Sequence, residues 1–181
     1  MSVKQHDAKT TDNNVTYYTY SILNKIRGNI SYYYSYKFEA DKIFDGIYLG
    51  SIDSVYDEKE LKSLGITHIV SAIAGFEPPF PDKFNYFVIN ALDSLNTDLS
   101  ENFDLCNDFI ENALEDGGQI LIHCIAGRSR SATLLVAYMI YKFGIDTDNA
   151  ILSIKSRRNI IEPNPNFKKQ LYEYYNKLFI V

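Results

Sequence analysis

A short apolar run, Gln119–His123, passes directly into Cys124-Ile125-Ala126-Gly127-Arg128-Ser129-Arg130 and then into a helix-like stretch over residues 131–143 that Gly144 ends. A buried strand, a tight loop and an apolar helix in direct succession constrain the fold. They suit an open α/β sheet, in which a strand hands over to a helix at its C-terminal edge and ligands bind at that edge. The longest apolar stretch, around residues 133–141, falls short of the ~20 residues that span a bilayer.

The rest of the chain agrees with that class. Residues 1–14 are polar and aperiodic, a tail. Residues 15–38 hold seven of the 15 tyrosines. Val15, Tyr18, Ile22 and Ile26 lie at helical spacing behind a candidate N-cap, Asn14, and Gly28 would end that helix. Alternation from Ile30 to Glu39 has the period of a strand. From Lys42 onward, strand-like runs at 44–49, 67–72, 86–90 and 119–123 alternate with helical stretches. The helices fall at 57–63, then behind Ser100 as cap with Phe103, Cys106 and Ile110 on its core face, then at 131–143, 148–157 and 166–178. The expected fold is a single α/β domain: a central, mostly parallel sheet of about five strands flanked by helices. A tail and tyrosine-rich segment would occupy residues 1–41, and the α/β domain residues 42–181.

The 124–130 loop carries the chemistry. A turn between a strand and a helix N-terminus aims backbone N–H groups and partial positive charge at one point, a nest for a tetrahedral oxyanion. Arg130, six residues after Cys124, can close the ring with a fork that holds two phosphate oxygens. The same field stabilises a thiolate, and thiols at such sites fall from a pKa of about 8.5 to roughly 3.5–7.5. Cys124 would then be a nucleophile at neutral pH. Gly127 lets the loop turn tightly beside the anion. A buried structural cysteine after a core strand is the plainer alternative, but it leaves His123, Gly127, Arg130 and Ser131 at their offsets unexplained.

These residues resemble the cysteine-dependent dual-specificity protein phosphatases, of the small atypical type, whose signature is H-C-x-x-G-x-x-R-S/T. The resemblance runs over roughly residues 42–178. Ile47-Tyr48-Leu49-Gly50-Ser51 is similar to the family's opening strand, residues 61–70 to its first helix-to-strand passage, and residues 158–170, with Pro163-Asn164 and Phe167, to its last helical hairpin. The resemblance implies hydrolysis of phosphotyrosine and phosphoserine or phosphothreonine through a phosphocysteine. Cys124 would attack phosphorus. Arg130 and the amides of Ile125, Ala126, Gly127, Arg128, Ser129 and Arg130 would bind the phosphate. Asp93 would be the general acid and base, Ser131 would assist the sulfur as leaving group, and His123 and Asn164 would brace the loops. The sequence shows no metal-ligand cluster and nothing in it implies a cofactor; the resemblance implies phosphoprotein substrates.

Several residues have two readings. Asp98 competes with Asp93 but is better explained as a residue at a helix entrance. Ser131 could cap its helix, Asn164 could hold a turn between two prolines, and Arg157 and Arg158 could ring the pocket or form a solvated face. Cys106 belongs to a helix's apolar face. Arg128 resembles the basic loop residue of lipid-directed relatives, so a phospholipid or phosphoinositide substrate is the alternative activity; yet Ile125 stands where those relatives carry lysine. A non-catalytic phosphate-binding module is a third reading, against which the cysteine counts.

Net charge is −5, which argues against a nucleic-acid partner. Residues 1–118 hold 9 Lys and Arg against 19 Asp and Glu; residues 119–181 hold 9 against 4. A basic final third suits a local anion site. The polar start and two unpaired cysteines suggest a cytoplasmic or nuclear protein with no integral membrane association. The tyrosine-rich segment would pack on its own domain or on a second copy in a homodimer.

Overall fold

The structure is a computed structural model that describes residues 37–180. The tail, the helix expected over 15–26, most of the alternation beyond it and the proposed dimer contact lie outside the described residues.

Five strands form one sheet: β1 (Ala40–Phe44), β2 (Ile47–Gly50), β3 (Ile66–Ala72), β4 (Asn85–Ile89) and β5 (Gln119–His123). Their order is β1-β2-β5-β3-β4, with β1 antiparallel to β2 and every other pairing parallel. The central strand β5 is the apolar QILIH run, paired on both edges, and consecutive residues Ile120–His123 are all buried, as in a parallel strand covered on both faces. Five α-helices follow the pattern read above: α1 (Glu58–Ser63), α2 (Phe103–Glu115), α3 (Arg130–Phe143), α4 (Thr147–Lys155) and α5 (Pro165–Phe179). The core is continuous and includes Leu49, Leu61, Ile69, Leu121, Ile122, Leu134 and Phe167. Cys106 lies in it, wholly buried on α2, and burial pushes its thiol up to about 12.

The run 44–49 is not one strand. Asp45-Gly46 breaks it into the β1–β2 hairpin, with Gly46 at φ +80°. Aspartate followed by a left-handed glycine is a hairpin turn signal, and the apolar flanks masked it. β1 crosses the 41/42 boundary and forms the sheet's antiparallel edge. A 3-10 turn, Ile52–Tyr56, also precedes α1. Ser100 does not cap α2. Its hydroxyl donates to Asp98 at 2.6 Å, and a 3-10 turn over Ser100–Asn102 leads into the helix. Aspartates do cap two others: Asp57 accepts from Glu60 N–H and Asp146 from Asn149 N–H, both at 2.9 Å.

Chain direction places the site. The crossover from β2 through α1 to β3 and the one from β4 through α2 to β5 step along the sheet in opposite directions. Both being right-handed, they lie on opposite faces. Strands β2 and β5 are parallel neighbours in the sheet. These adjacent strands end in register, Gly50 beside His123, and a crevice opens at their C-terminal ends. Helix α3 starts from that crevice and is buried from Arg130 through Ile140, as an apolar surface on every side requires.

Leu121→Ala should lower unfolding free energy by about 2–5 kcal/mol in urea titrations, because Leu121 is fully enclosed on β5. The same change at Leu105, 61% exposed on α2, should stay within about 0.5 kcal/mol. Equal losses at both positions would contradict this placement of the core.

Candidate active site

The loop after β5 bends back on itself around Cys124, and its carbonyls point outward. Each is met by a donor. His123 Nδ1 lies 3.4 Å from the Cys124 carbonyl. Ile52 N–H donates to Ile125 O at 3.1 Å, and Glu162 N–H to Arg128 O at 2.8 Å. Arg158 Nη2 and Nε donate to Ala126 O at 3.2 Å and Gly127 O at 2.9 Å. Thr133 donates to Ser129 O through both its amide and its hydroxyl, at 2.8 Å. The N–H groups of residues 125–127 and 129 donate to no backbone carbonyl among the described residues. They are left for an anion. Gly127 has φ +61°, and a Cβ there would stand 2.5 Å from Gly50 O and 2.7 Å from Arg158 Nη2. Only glycine satisfies both demands.

Cys124 is 1% exposed. Burial alone would raise its pKa. The Arg130 guanidinium opposes that, as do the Ser131 hydroxyl and the N–H groups of Ser131 and Arg128, and the net shift is downward. The Ser131 hydroxyl donates to Sγ at 3.2 Å. It therefore does not cap α3, whose N-cap is Ser129. His123 is buried, and burial first, then Arg130, hold its pKa at about 4 despite an opposing contact with the Cys124 carbonyl. It is neutral at pH 7. A carbonyl only accepts, so Nδ1 carries the proton, and Nε2 accepts from the Ser71 hydroxyl at 2.6 Å. Phe76 meets the ring edge-on at 5.2 Å.

Arg130 is 5% exposed. Its Nη1 donates to Ala91 O at 3.1 Å, and its Nε lies 3.6 Å from Asp93 Oδ2. Nε is buried and has no hydrogen-bond partner, so one edge of the fork stays available. Asp93 accepts from Ser129 Oγ and from Asn164 Nδ2, each at 2.9 Å. Asn164 also accepts from Phe167 N–H at 3.0 Å as N-cap of α5, and its own N–H donates to Ser129 Oγ at 3.2 Å. It thus caps α5 and contacts both Asp93 and the loop residue Ser129. Asp98 is turned away from the loop and accepts from Ser100 N–H at 2.8 Å. Arg128 is exposed on the rim, its Nε donating to Ile160 O at 3.0 Å. Among the described residues no cluster of His, Cys, Asp and Glu is placed to hold a metal ion.

Two residues have places that their sequence readings missed. Arg158 is 4% exposed. It neither rings the pocket nor faces solvent: it stands behind the loop, with Nη1 on Asp41 and Nη2 on Glu39, both at 2.7 Å. Its carboxylates lie 117 and 119 residues upstream, beyond any local pattern. Ser71, the other, sits in an ordinary strand run.

The dual specificity phosphatase catalytic-domain model matches residues 47–177. The chain belongs to the dual-specificity phosphatase family. It is 39% identical over 136 residues to dual specificity protein phosphatase 1B of Arabidopsis thaliana, covering 75% of this chain and 81% of that one. It is 40% identical over 131 residues to dual specificity protein phosphatase 1 of the same plant, covering 72% and 66%. A solved human tyrosine phosphatase-like serine/threonine/tyrosine-interacting protein superposes with a TM-score of 0.76 at 31% identity, over 80% of this chain and all of that one. A mouse dual specificity phosphatase complexed with zinc tungstate gives 0.75 at 27%, over 80% and 91%. This dual-specificity phosphatase is thus a cysteine-based protein phosphatase with a protein tyrosine phosphatase-like fold. Among its described residues no helix is long and apolar enough to cross a membrane.

Acid should destabilise the fold through His123. Its pKa is 6.5 free and about 4 folded, so between those values the unfolded chain binds the proton first, and stability falls as pH falls. The loss from this residue should be about 3 kcal/mol between pH 7 and pH 4. Urea titrations of His123→Gln should show a shallower acid slope by that amount; an unchanged slope refutes the assignment. Arg158→Lys, which cannot reach both carbonyls and both carboxylates, should lower kcat about 100-fold with a smaller change in KM. It should also move the alkylation pH profile of Cys124. Loss of thermal stability without either kinetic change would mark Arg158 as purely structural.

Proposed function

We propose that this phosphatase hydrolyses phosphotyrosine, and phosphoserine or phosphothreonine, in proteins through a phosphocysteine. The observation that carries the reading is the juxtaposition, on one loop, of a thiol with a lowered pKa and a buried arginine whose Nε has no hydrogen-bond partner.

The Cys124 thiolate attacks phosphorus, forming the S–P bond as the P–O bond to the leaving oxygen breaks. The amides of residues 125–130 and the open edge of Arg130 hold the equatorial oxygens and stabilise their growing charge. Asp93, tied in place by Ser129 and Asn164, gives the leaving oxygen its proton. It then takes a proton from water as that water attacks the phosphocysteine. Sulfur leaves as a thiolate, which the Ser131 hydroxyl receives at 3.2 Å. The Arg130–Asp93 contact keeps acid and clamp in one geometry before substrate arrives. The chemistry needs a reduced thiol, which fits a cytoplasmic or nuclear location. The sequence shows no segment resembling the tyrosine-recognition loop of larger phosphatases, which supports a shallow pocket open to short phosphoserine.

Hydrolysis of para-nitrophenyl phosphate should proceed in the presence of EDTA, vanish in Cys124→Ser, and fall about 100- to 10,000-fold in Asp93→Asn. Arg130→Lys should be comparably impaired, since lysine cannot grip two oxygens. Phosphotyrosine and phosphothreonine peptides should both turn over. Wild-type protein that binds phosphate analogues under reducing conditions without turnover would refute the catalytic reading.

A further inference from the structure

Of the loop residues, Ala126 and Arg128 are the exposed ones, so they form the rim over which a substrate's main chain must pass. Arg128 is held in an unusual way for an exposed arginine. Its Nε donates to the Ile160 carbonyl at 3.0 Å, which fixes the plane of the guanidinium. No carboxylate among the described residues lies within 4 Å of it. The guanidinium is held by that bond, yet the Nη edge of its fork meets no carboxylate among the described residues.

A cleft of about 480 Å³ opens beside it, bounded by Arg128, Lys155, Asn159, Ile160, Ile161 and Glu162. Glu162 is the cleft's one acidic residue and is already shared: Lys155 contacts it at 3.1 Å, and Lys168 binds its other oxygen. Two ammonium groups and one guanidinium against one carboxylate leave this corner positive on a chain of net charge −5. A fixed planar fork beside a surplus of positive charge matches a carboxylate, which arginine grips with two parallel hydrogen bonds.

We propose that Arg128, with Lys155, forms a subsite for an acidic side chain flanking the phosphorylated residue, so that the enzyme selects acidic phosphopeptides. The inference rests on the phosphatase reading of the same loop: with phosphate in the nest, neighbouring side chains fall on the rim that Arg128 occupies. Because the contact is exposed, it gives moderate selectivity, about five- to tenfold in kcat/KM, and salt screens it.

The test is a set of phosphotyrosine peptides, identical except for Glu in place of Gln at each of three positions on either side. The readout is the Glu-to-Gln ratio of kcat/KM within each enzyme, so a change in basal rate cancels. Wild type should prefer Glu at one or two positions by about five- to tenfold, and the preference should shrink in 0.5 M salt (~3–5 Å screening length). Arg128→Gln and Lys155→Gln should each bring the ratio toward one, whereas Lys177→Gln, on the far end of α5, should leave it intact. Equal turnover of all peptides by wild type overturns the subsite while sustaining the phosphatase reading. A preference that survives both substitutions also overturns it. If no peptide is hydrolysed but phosphatidylinositol phosphate in phosphatidylcholine vesicles is, in a manner that depends on Arg128, both the peptide subsite and the protein substrate fall.

Discussion

A loop that turns its amides toward an anion must turn its carbonyls somewhere else. Buried carbonyls without donors are costly, about 1–3 kcal/mol each, so the nest exists only if its outer surface is satisfied. Here the outer surface is met from four parts of the chain: β5's own histidine, the 3-10 turn after β2, α3 itself, and the segment after α4, which supplies both the Glu162 amide and Arg158. The site depends on that shell more than on any residue facing the substrate. Arg158 has the largest share, because one guanidinium serves two consecutive carbonyls. Gly50 and Gly127 are equally demanding, since the two backbones approach too closely for a Cβ at position 127.

A buried cation needs its own compensation, and removing one partner of such a group leaves an unpaired charge. Arg158 receives Glu39 and Asp41, the residue just before β1 and a residue within it. The antiparallel edge strand is therefore more than a cover for the sheet: it carries the counter-charge that allows an arginine to stand behind the loop. The other side of the site works similarly. Asn164 begins α5 and reaches Asp93, and Ser129 joins both. Segments distant in sequence meet at one crevice because β2 and β5 end side by side there.

Much of this was legible in the residues. The strand–loop–helix order, the five described α-helices and the parallel centre follow from apolar runs and their spacing, and the loop's offsets singled out the thiol, the arginine and the serine that the structure brings together. What escaped had a common cause. The Asp45-Gly46 turn lay inside an apolar run whose length suited one strand, so the stronger signal hid the weaker. Ser100 looked like a cap, but Asp98 took its hydroxyl and its amide, a competition between neighbours that composition cannot rank. Arg158 read as a pocket residue or part of a solvated face, and it is neither; its burial depends on partners more than a hundred residues away. Contacts that distant leave no periodicity to detect.

The uneven charge along the chain also has a structural meaning. The last third is basic, and its arginines do different work according to what the acidic part of the chain sends to meet them. Arg158 is neutralised by Glu39 and Asp41, and it shapes the loop without adding much net field. Arg130 has only Asp93, at 3.6 Å and through Nε without a hydrogen bond, so its charge remains effective at the sulfur 1% exposed beside it. His123, on the other flank of the cysteine, cannot share that role. A second cation in the same enclosed space would be doubly penalised, by burial and by Arg130, and the ring stays neutral. One cation, only loosely paired with Asp93 and facing one thiol, is thus the arrangement that low dielectric favours: it lowers the thiol against its own desolvation and leaves Nε without a hydrogen bond.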